Sequence, residues 1–127
     1  MSGQRIRVLI TDDRPQARAG LRALLATRSG IEVIGEAADG QEALGLVARH
    51  RPDVVLLDAR MPVLGGPEAT RLIKARWPGI RVVVLSMHAA YRREALAAGA
   101  DRFLVKGSPS HQLFDAVCGS ADSGLSS

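Results

Sequence analysis

The sequence predicts a single doubly wound α/β domain, a parallel sheet covered by helices on both faces. Three observations carry that prediction. Short apolar runs alternate with segments of helical spacing along almost the whole chain. Most runs are apolar on consecutive residues rather than on every second one, as strands buried on both faces must be. The joints between them are short and punctuated by Gly and Pro, and such alternation implies a parallel sheet with right-handed crossovers. For five strands the natural solution is the flavodoxin-like (βα)5 sheet in the order 2-1-3-4-5.

The elements follow in order. Arg5–Thr11 (RIRVLIT), Ile31–Ala37 (IEVIGEA), Asp53–Leu57 (DVVLL), Arg81–Leu85 (RVVVL) and Arg102–Val105 (RFLV) read as strands, being rich in Val, Ile and Leu. Between the first two, Pro15–Thr27 sets Ala19, Leu21, Leu24 and Leu25 at helical spacing, and Gly30 stops it. Gln41–His50 is closed by Pro52 and Pro67–Trp77 by Pro78, with Trp77 expected to anchor the helix end. Ala89–Ala98 ends at Gly99 and Pro109–Cys118 at Gly119. Pro15, Pro67 and Pro109 each suit the first turn of a helix, where a missing N–H costs nothing. The domain is expected over residues 1–119, and Ser120–Ser127 (SADSGLSS), small and polar, reads as a linker or disordered tail.

Composition narrows the class. The 127 residues are 46% hydrophobic and 24% charged, ordinary for one globular domain and too apolar for a disordered chain. No apolar run is long enough for a membrane span, and no signal-like segment follows the N-terminus, so a cytoplasmic protein is expected. The one cysteine, Cys118, excludes an internal disulfide framework and a cysteine zinc site. Seventeen basic residues against thirteen acidic give a charge of +4. All but Lys74 and Lys106 are arginine and lie scattered along the chain, with only four aromatics among them. Without a basic run interleaved with aromatics, direct nucleic-acid binding is the minority expectation.

In such sheets ligands sit at the carboxyl ends of the strands. The first strand ends in Asp12 and Asp13, the third in Asp58, the fourth in Ser86 and the fifth in Lys106. Any one of these has a plain explanation: the acidic pair could cap the helix that follows, Ser86 alone says little, and Lys106 could be a solvated turn residue. Their meeting at one rim is harder to obtain by chance. Three crowded carboxylates call for a cation, and an all-oxygen set suits Mg²⁺, which keeps open positions for phosphate oxygens. Asp58, central in the sheet, could be a nucleophile forming an aspartyl-phosphate, with Lys106 and Ser86 meeting the phosphoryl oxygens.

The segments VLITDD (8–13), VVLLDARMPVLGG (54–66), VVVLS (82–86) and FLVK (103–106) together resemble the receiver domain of two-component response regulators. DDRPQARAGLRALL (12–25) and GEAADGQEAL (35–44) resemble its NarL/LuxR-type subgroup. The resemblance implies Asp58 as phosphoacceptor, Asp13 as a direct Mg²⁺ ligand, Asp12 as a ligand through water, and the backbone carbonyl of Arg60 as a further ligand. It also implies that Ser86 follows the phosphoryl group on activation and Lys106 pairs with it. Phe103 stands where receivers carry a switch aromatic that rotates inward, although a core aromatic fits the same position. The implied partners are a sensor histidine kinase and a second copy of the chain on phosphorylation. DNA would be reached only through a C-terminal helix-turn-helix domain that this chain does not contain, which leads one to expect a receiver separated from a longer regulator or else a stand-alone receiver.

Two departures from the family pattern stand out. The segment between Ser86 and Lys106 is shorter than receivers usually show, at Met87–Ala90, which bears on the switching motion. The net charge is basic where receivers are more often acidic, which bears on the complementary kinase surface. The sequence thus leaves two competing readings. A Mg²⁺-dependent phosphohydrolase would place its first-strand acids two apart, whereas here they are adjacent, so an enzyme is not expected. A phosphate-independent interaction module with an atypical switch loop is the alternative. His88 beside the rim is expected to be a solvated loop residue, and Cys118 lacks a catalytic partner.

Overall fold

A computed structural model describes residues 4–119, over which eleven elements alternate along the chain. The strands are β1 (Ile6–Thr11), β2 (Ile31–Ala37), β3 (Val54–Asp58), β4 (Arg81–Ser86) and β5 (Arg102–Val105). The α-helices are α1 (Pro15–Leu25), α2 (Gly40–His50), α3 (Gly66–Arg76), α4 (Arg92–Ala97) and α5 (Ser110–Cys118), and a 3₁₀ turn, Ala89–Tyr91, precedes α4. All strand pairs are parallel and the order is β2-β1-β3-β4-β5, as the sequence predicts. The tail expected at 120–127 lies outside the described residues.

Strand parity builds two cores. Leu9, Val55, Leu57, Val82 and Val84 pack on one face of the sheet with Ala43, Val47, Ala69, Ile73 and Ala95 of α2, α3 and α4. Val8, Ile10, Leu56, Val83 and Leu85 pack on the other with Leu25 of α1 and Leu113, Phe114 and Val117 of α5. Residues at i and i+1 therefore bury to opposite sides, which explains strands such as VVLLD that are buried throughout. The edge strand β2 is only partly buried and carries a bulge: Val8 pairs with Val33 but Leu9 with Gly35.

Several boundaries differ from the sequence reading, each for a local reason. Asp39 caps α2 by accepting the Glu42 N–H at 2.8 Å, while the Glu42 carboxylate reaches back to the Ala38 N–H, so the helix starts at Gly40. Pro109 is the N-cap of α5 rather than its first residue. The expected helix over 89–98 divides into the 3₁₀ turn and a single short α segment. Trp77 forms the C-cap of α3, half-buried, with Arg51 and Arg76 over its ring at 5.4 and 4.9 Å. Cys118 is exposed at the end of α5. No described helix is long and apolar enough to cross a membrane.

Candidate functional site

The site forms at the carboxyl edge of the three central strands because the sheet delivers its residues there. β1 and β3 are neighbours, and the helices that follow them, α1 and α3, pack on opposite faces, so the strand ends open a cleft at the topological switch point. Carboxylate oxygens of Asp12, Asp13 and Asp58 lie within 4.8 Å of one another, close enough to share one cation. Asp12 is 1% exposed and Asp58 9%, whereas Asp13 faces solvent. The cleft extends from Asp13 and Asp58 past Arg60 and Ser86 to His88 and Tyr91.

Lys106 arrives from the end of β5 and bridges the cluster: its Nζ is 2.7 Å from Asp12 Oδ2 and 2.6 Å from Asp58 Oδ1. A half-buried ammonium with two carboxylates is a charge-assisted arrangement that satisfies groups otherwise costly to bury. Burial pushes the Asp58 carboxyl above its usual range; the Lys106 hydrogen bond opposes this, and the charge of Asp12 adds to the rise. Lys106 is itself raised. Burial works against its charge, but the hydrogen bonds to Asp12 and Asp58 outweigh burial. Asp58 Oδ2 accepts a longer 3.3 Å bond from the Arg60 N–H.

Asp12 is held from four sides. Its N–H donates to Ala37 O at 3.1 Å, its Oδ1 accepts the Arg14 N–H at 3.0 Å, its Oδ2 accepts Lys106, and its carbonyl accepts Arg18 Nη1 at 2.7 Å. The acidic pair does not cap α1, the plain alternative for two aspartates in front of a helix. The N-cap is Arg14, with no side-chain cap, and Asp12 bonds the N–H of that residue instead. Ser86 ends β4, 3% exposed, and its Oγ accepts the His88 N–H at 3.0 Å. His88 is an exposed loop residue on the cleft wall, as expected. Phe103 does not reach the cleft. It is 5% exposed and packs in the core with Val82, Val84 and Ala95, so its ring already lies inward.

The structure thus brings Asp12, Asp13, Asp58 and Lys106 into one cluster, sets Ser86 and Arg60 at its margin, and buries Phe103 in the core. The sequence reading missed the Arg18 contact to Asp12 and its companion Glu36. The available signal was Arg18 and Arg22, one turn apart on a helix that begins just after the acidic pair. The donor chemistry fits a hard divalent cation, since three carboxylates converge with no sulfur or imidazole ligand among them.

Comparison with known proteins agrees with this geometry. The family model described as response regulator receiver domain matches residues 8–118. Transcriptional regulatory protein LnrK of Bacillus subtilis (strain 168) is 40% identical over 114 residues, which cover 88% of this chain and 52% of LnrK. A two-component response regulator of the LuxR family from Aurantimonas sp. SI85-9A1 superposes with a TM-score of 0.86 at 36% identity, over 91% of this chain and 84% of its own. The signal receiver domain of the putative response regulator NarL from Mycobacterium tuberculosis gives a TM-score of 0.86 at 36% identity, over 94% and 98%. The chain spans about half the length of the curated relatives it matches. A match that runs from the first core strand to the end of α5 settles the kinship: the chain belongs to the receiver domains of two-component response regulators, and its relatives are regulators of the NarL/LuxR type.

Proposed function

We propose that this chain is a phosphorylation-controlled signalling module in which Asp58 accepts a phosphoryl group from a sensor histidine kinase. The observation that carries the reading is the Lys106 ammonium set between Asp12 and Asp58 beside a third carboxylate. An Asp58 oxygen forms a bond to phosphorus as the P–N bond of the kinase phosphohistidine breaks, and the electron pair returns to the imidazole nitrogen. Oδ2 is the better placed oxygen, because Oδ1 is already engaged by Lys106. Asp13, Asp58 and the Arg60 carbonyl would hold Mg²⁺ directly and Asp12 through water. When bound, the ion supplies positive charge to the phosphoryl oxygens.

The remaining work belongs to the chain's own side chains. Lys106 turns from Asp58 Oδ1 to a phosphoryl oxygen while keeping Asp12, so its charge is retained throughout. The Ser86 hydroxyl leaves the His88 N–H and donates to the phosphoryl group, drawing the Met87–Ala90 loop with it. Phe103 couples to that movement from a ring-in starting position. The altered surface then favours pairing with a second copy of the chain and, through a C-terminal helix-turn-helix domain beyond it, transcriptional control. In this reading residues 1–119 form the receiver, 120–127 its linker, and the protein works in the cytoplasm as a phosphoacceptor and not as a turnover enzyme.

The test is the intact mass of the chain after incubation with Mg²⁺ and acetyl phosphate, beside an Asp58→Asn control. The expected result is one acid-stable, base-labile phosphoryl group on the unmodified sequence and none on the control. A folded, Mg²⁺-supplied protein that gains none from acetyl phosphate or from a panel of histidine kinases would sink the reading and favour a phosphate-independent interaction module.

A further inference from the structure

We propose that Arg18, oriented by Glu36, is a positioning residue that fixes the Asp12–Asp13 turn in the geometry a divalent cation needs. The inference rests on the reading of the acidic cluster as a Mg²⁺ site. Among the described residues, a side chain outside the cluster also holds Asp12. Arg18 lies in the first turns of α1, and its Nη1 donates to the Asp12 carbonyl at 2.7 Å. Its Nε donates to Glu36 Oε1 at 3.0 Å, and Arg22, one turn on, donates to Glu36 Oε2 at 2.6 Å. The planar guanidinium is thereby held at two of its edges, which a flexible ammonium could not match.

Glu36 matters for a second reason. It precedes Ala37, whose carbonyl accepts the Asp12 N–H at 3.1 Å, so the end of β2 grips Asp12 twice, once by backbone and once through Arg18. Glu36 also offsets the Arg18 charge. The guanidinium can therefore hold the backbone beside the carboxylates with less opposition to a cation arriving there. Hydrogen-bonded partners behind metal ligands typically change affinity by about 10–100-fold when removed. Asp12 is nearly fully buried and gripped on every side, which makes its carbonyl a place where such an effect reaches the ligand oxygens.

The experiment measures Mg²⁺ binding by titration calorimetry, without any phosphodonor, for the unmodified chain, Arg18→Ala, Arg18→Lys and Glu36→Gln. Each is read well below its own unfolding midpoint. Arg18→Ala is expected to weaken Mg²⁺ roughly tenfold, with Arg18→Lys and Glu36→Gln between it and the unmodified chain. A lowered midpoint with unchanged Mg²⁺ affinity would mean that the network is only structural and would overturn the proposal. If Arg18→Ala does not fold, the two conservative variants carry the same comparison. Amide exchange of Arg14, whose N–H rests on Asp12 Oδ1, gives an answer that does not depend on the metal. If the unmodified chain binds no Mg²⁺ at millimolar concentration, the function reading fails. Faster Arg14 exchange in Arg18→Ala then still supports the positioning role, and unchanged exchange overturns it.

Discussion

Single residues in this fold carry costs that the neighbouring sequence does not reveal. Val63, in the loop between β3 and α3, has φ at +69° and is 77% exposed. A β-branched side chain in the left-handed region is strained, and exposure leaves it little burial to offset that strain. Val63→Asn should raise the stability by up to about 1 kcal/mol, read as a shift in the denaturant midpoint at constant slope. An unchanged or lowered midpoint would show that the loop relaxes the strain by other means. Thr11 presents a second cost. It ends β1, is 1% exposed, and its Oγ1 finds no hydrogen-bond partner among the described residues. Thr11→Val keeps the shape and removes the orphaned hydroxyl, so a gain of about 1 kcal/mol is expected from thermal unfolding. Neither residue stands out in the sequence, because threonine at a strand end and valine after proline are both ordinary until a φ angle or a missing partner is known.

At the scale of elements, glycines divide into those the packing requires and those it merely tolerates. Gly66 opens α3, and a Cβ there would stand 2.5 Å from the Asp58 carbonyl oxygen and 2.9 Å from Ala59 Cα. Both are backbone atoms at the end of the strand that carries Asp58, the proposed phosphoacceptor. Gly66→Ala should therefore cost about 1–3 kcal/mol and also reduce phosphoryl acceptance by displacing Asp58. Retention of full acceptance at room temperature would show that α3 moves instead of β3. At Gly20 in α1 and Gly45 in α2 an added Cβ would meet nothing within 4 Å. Alanine at either should stabilise by about 0.5–1 kcal/mol through helix propensity alone. The helices lie on opposite faces of the sheet, so the double variant should show the sum. Element type is readable throughout from apolar period and from Pro and Gly punctuation. The β2 bulge and the division of 89–98 into a 3₁₀ turn and a short helix are not: the bulge exists only in the register of β2 against β1, and no Gly or Pro marks where the 3₁₀ turn gives way to the helix.

At the scale of the whole molecule, the sheet order makes the rim readable: once the strands alternate with helices, their carboxyl ends must gather, and Asp12, Asp13, Asp58 and Lys106 gather there. The support from the edge strand stays hidden in the sequence, since Glu36 and Arg18 meet only after β2 has paired with β1. The gathering itself has a pH signature. Lys106 is raised in the fold, so its contribution is complete below its unfolded pKa of about 10.4 and is lost as pH rises through the folded value. Glu36 is lowered, chiefly by the Arg22 hydrogen bond, so its contribution is present above about 4.3 and is lost as pH falls through the folded value. Asp58 runs the other way. Its carboxyl is raised, so the fold favours the neutral form, and at neutral pH the ionised group is a net cost. In Mg²⁺-free buffer at neutral pH, Asp58→Asn should therefore unfold at a higher temperature than the unmodified chain. That gap should close as pH falls through the folded pKa of Asp58 and its carboxyl takes up a proton. Added Mg²⁺ should close it from the other side, stabilising the unmodified chain and not the variant. A variant less stable than the unmodified chain at neutral pH would mean that the Lys106 bridge outweighs burial, and that the site is built for a paired ammonium more than for an incoming cation.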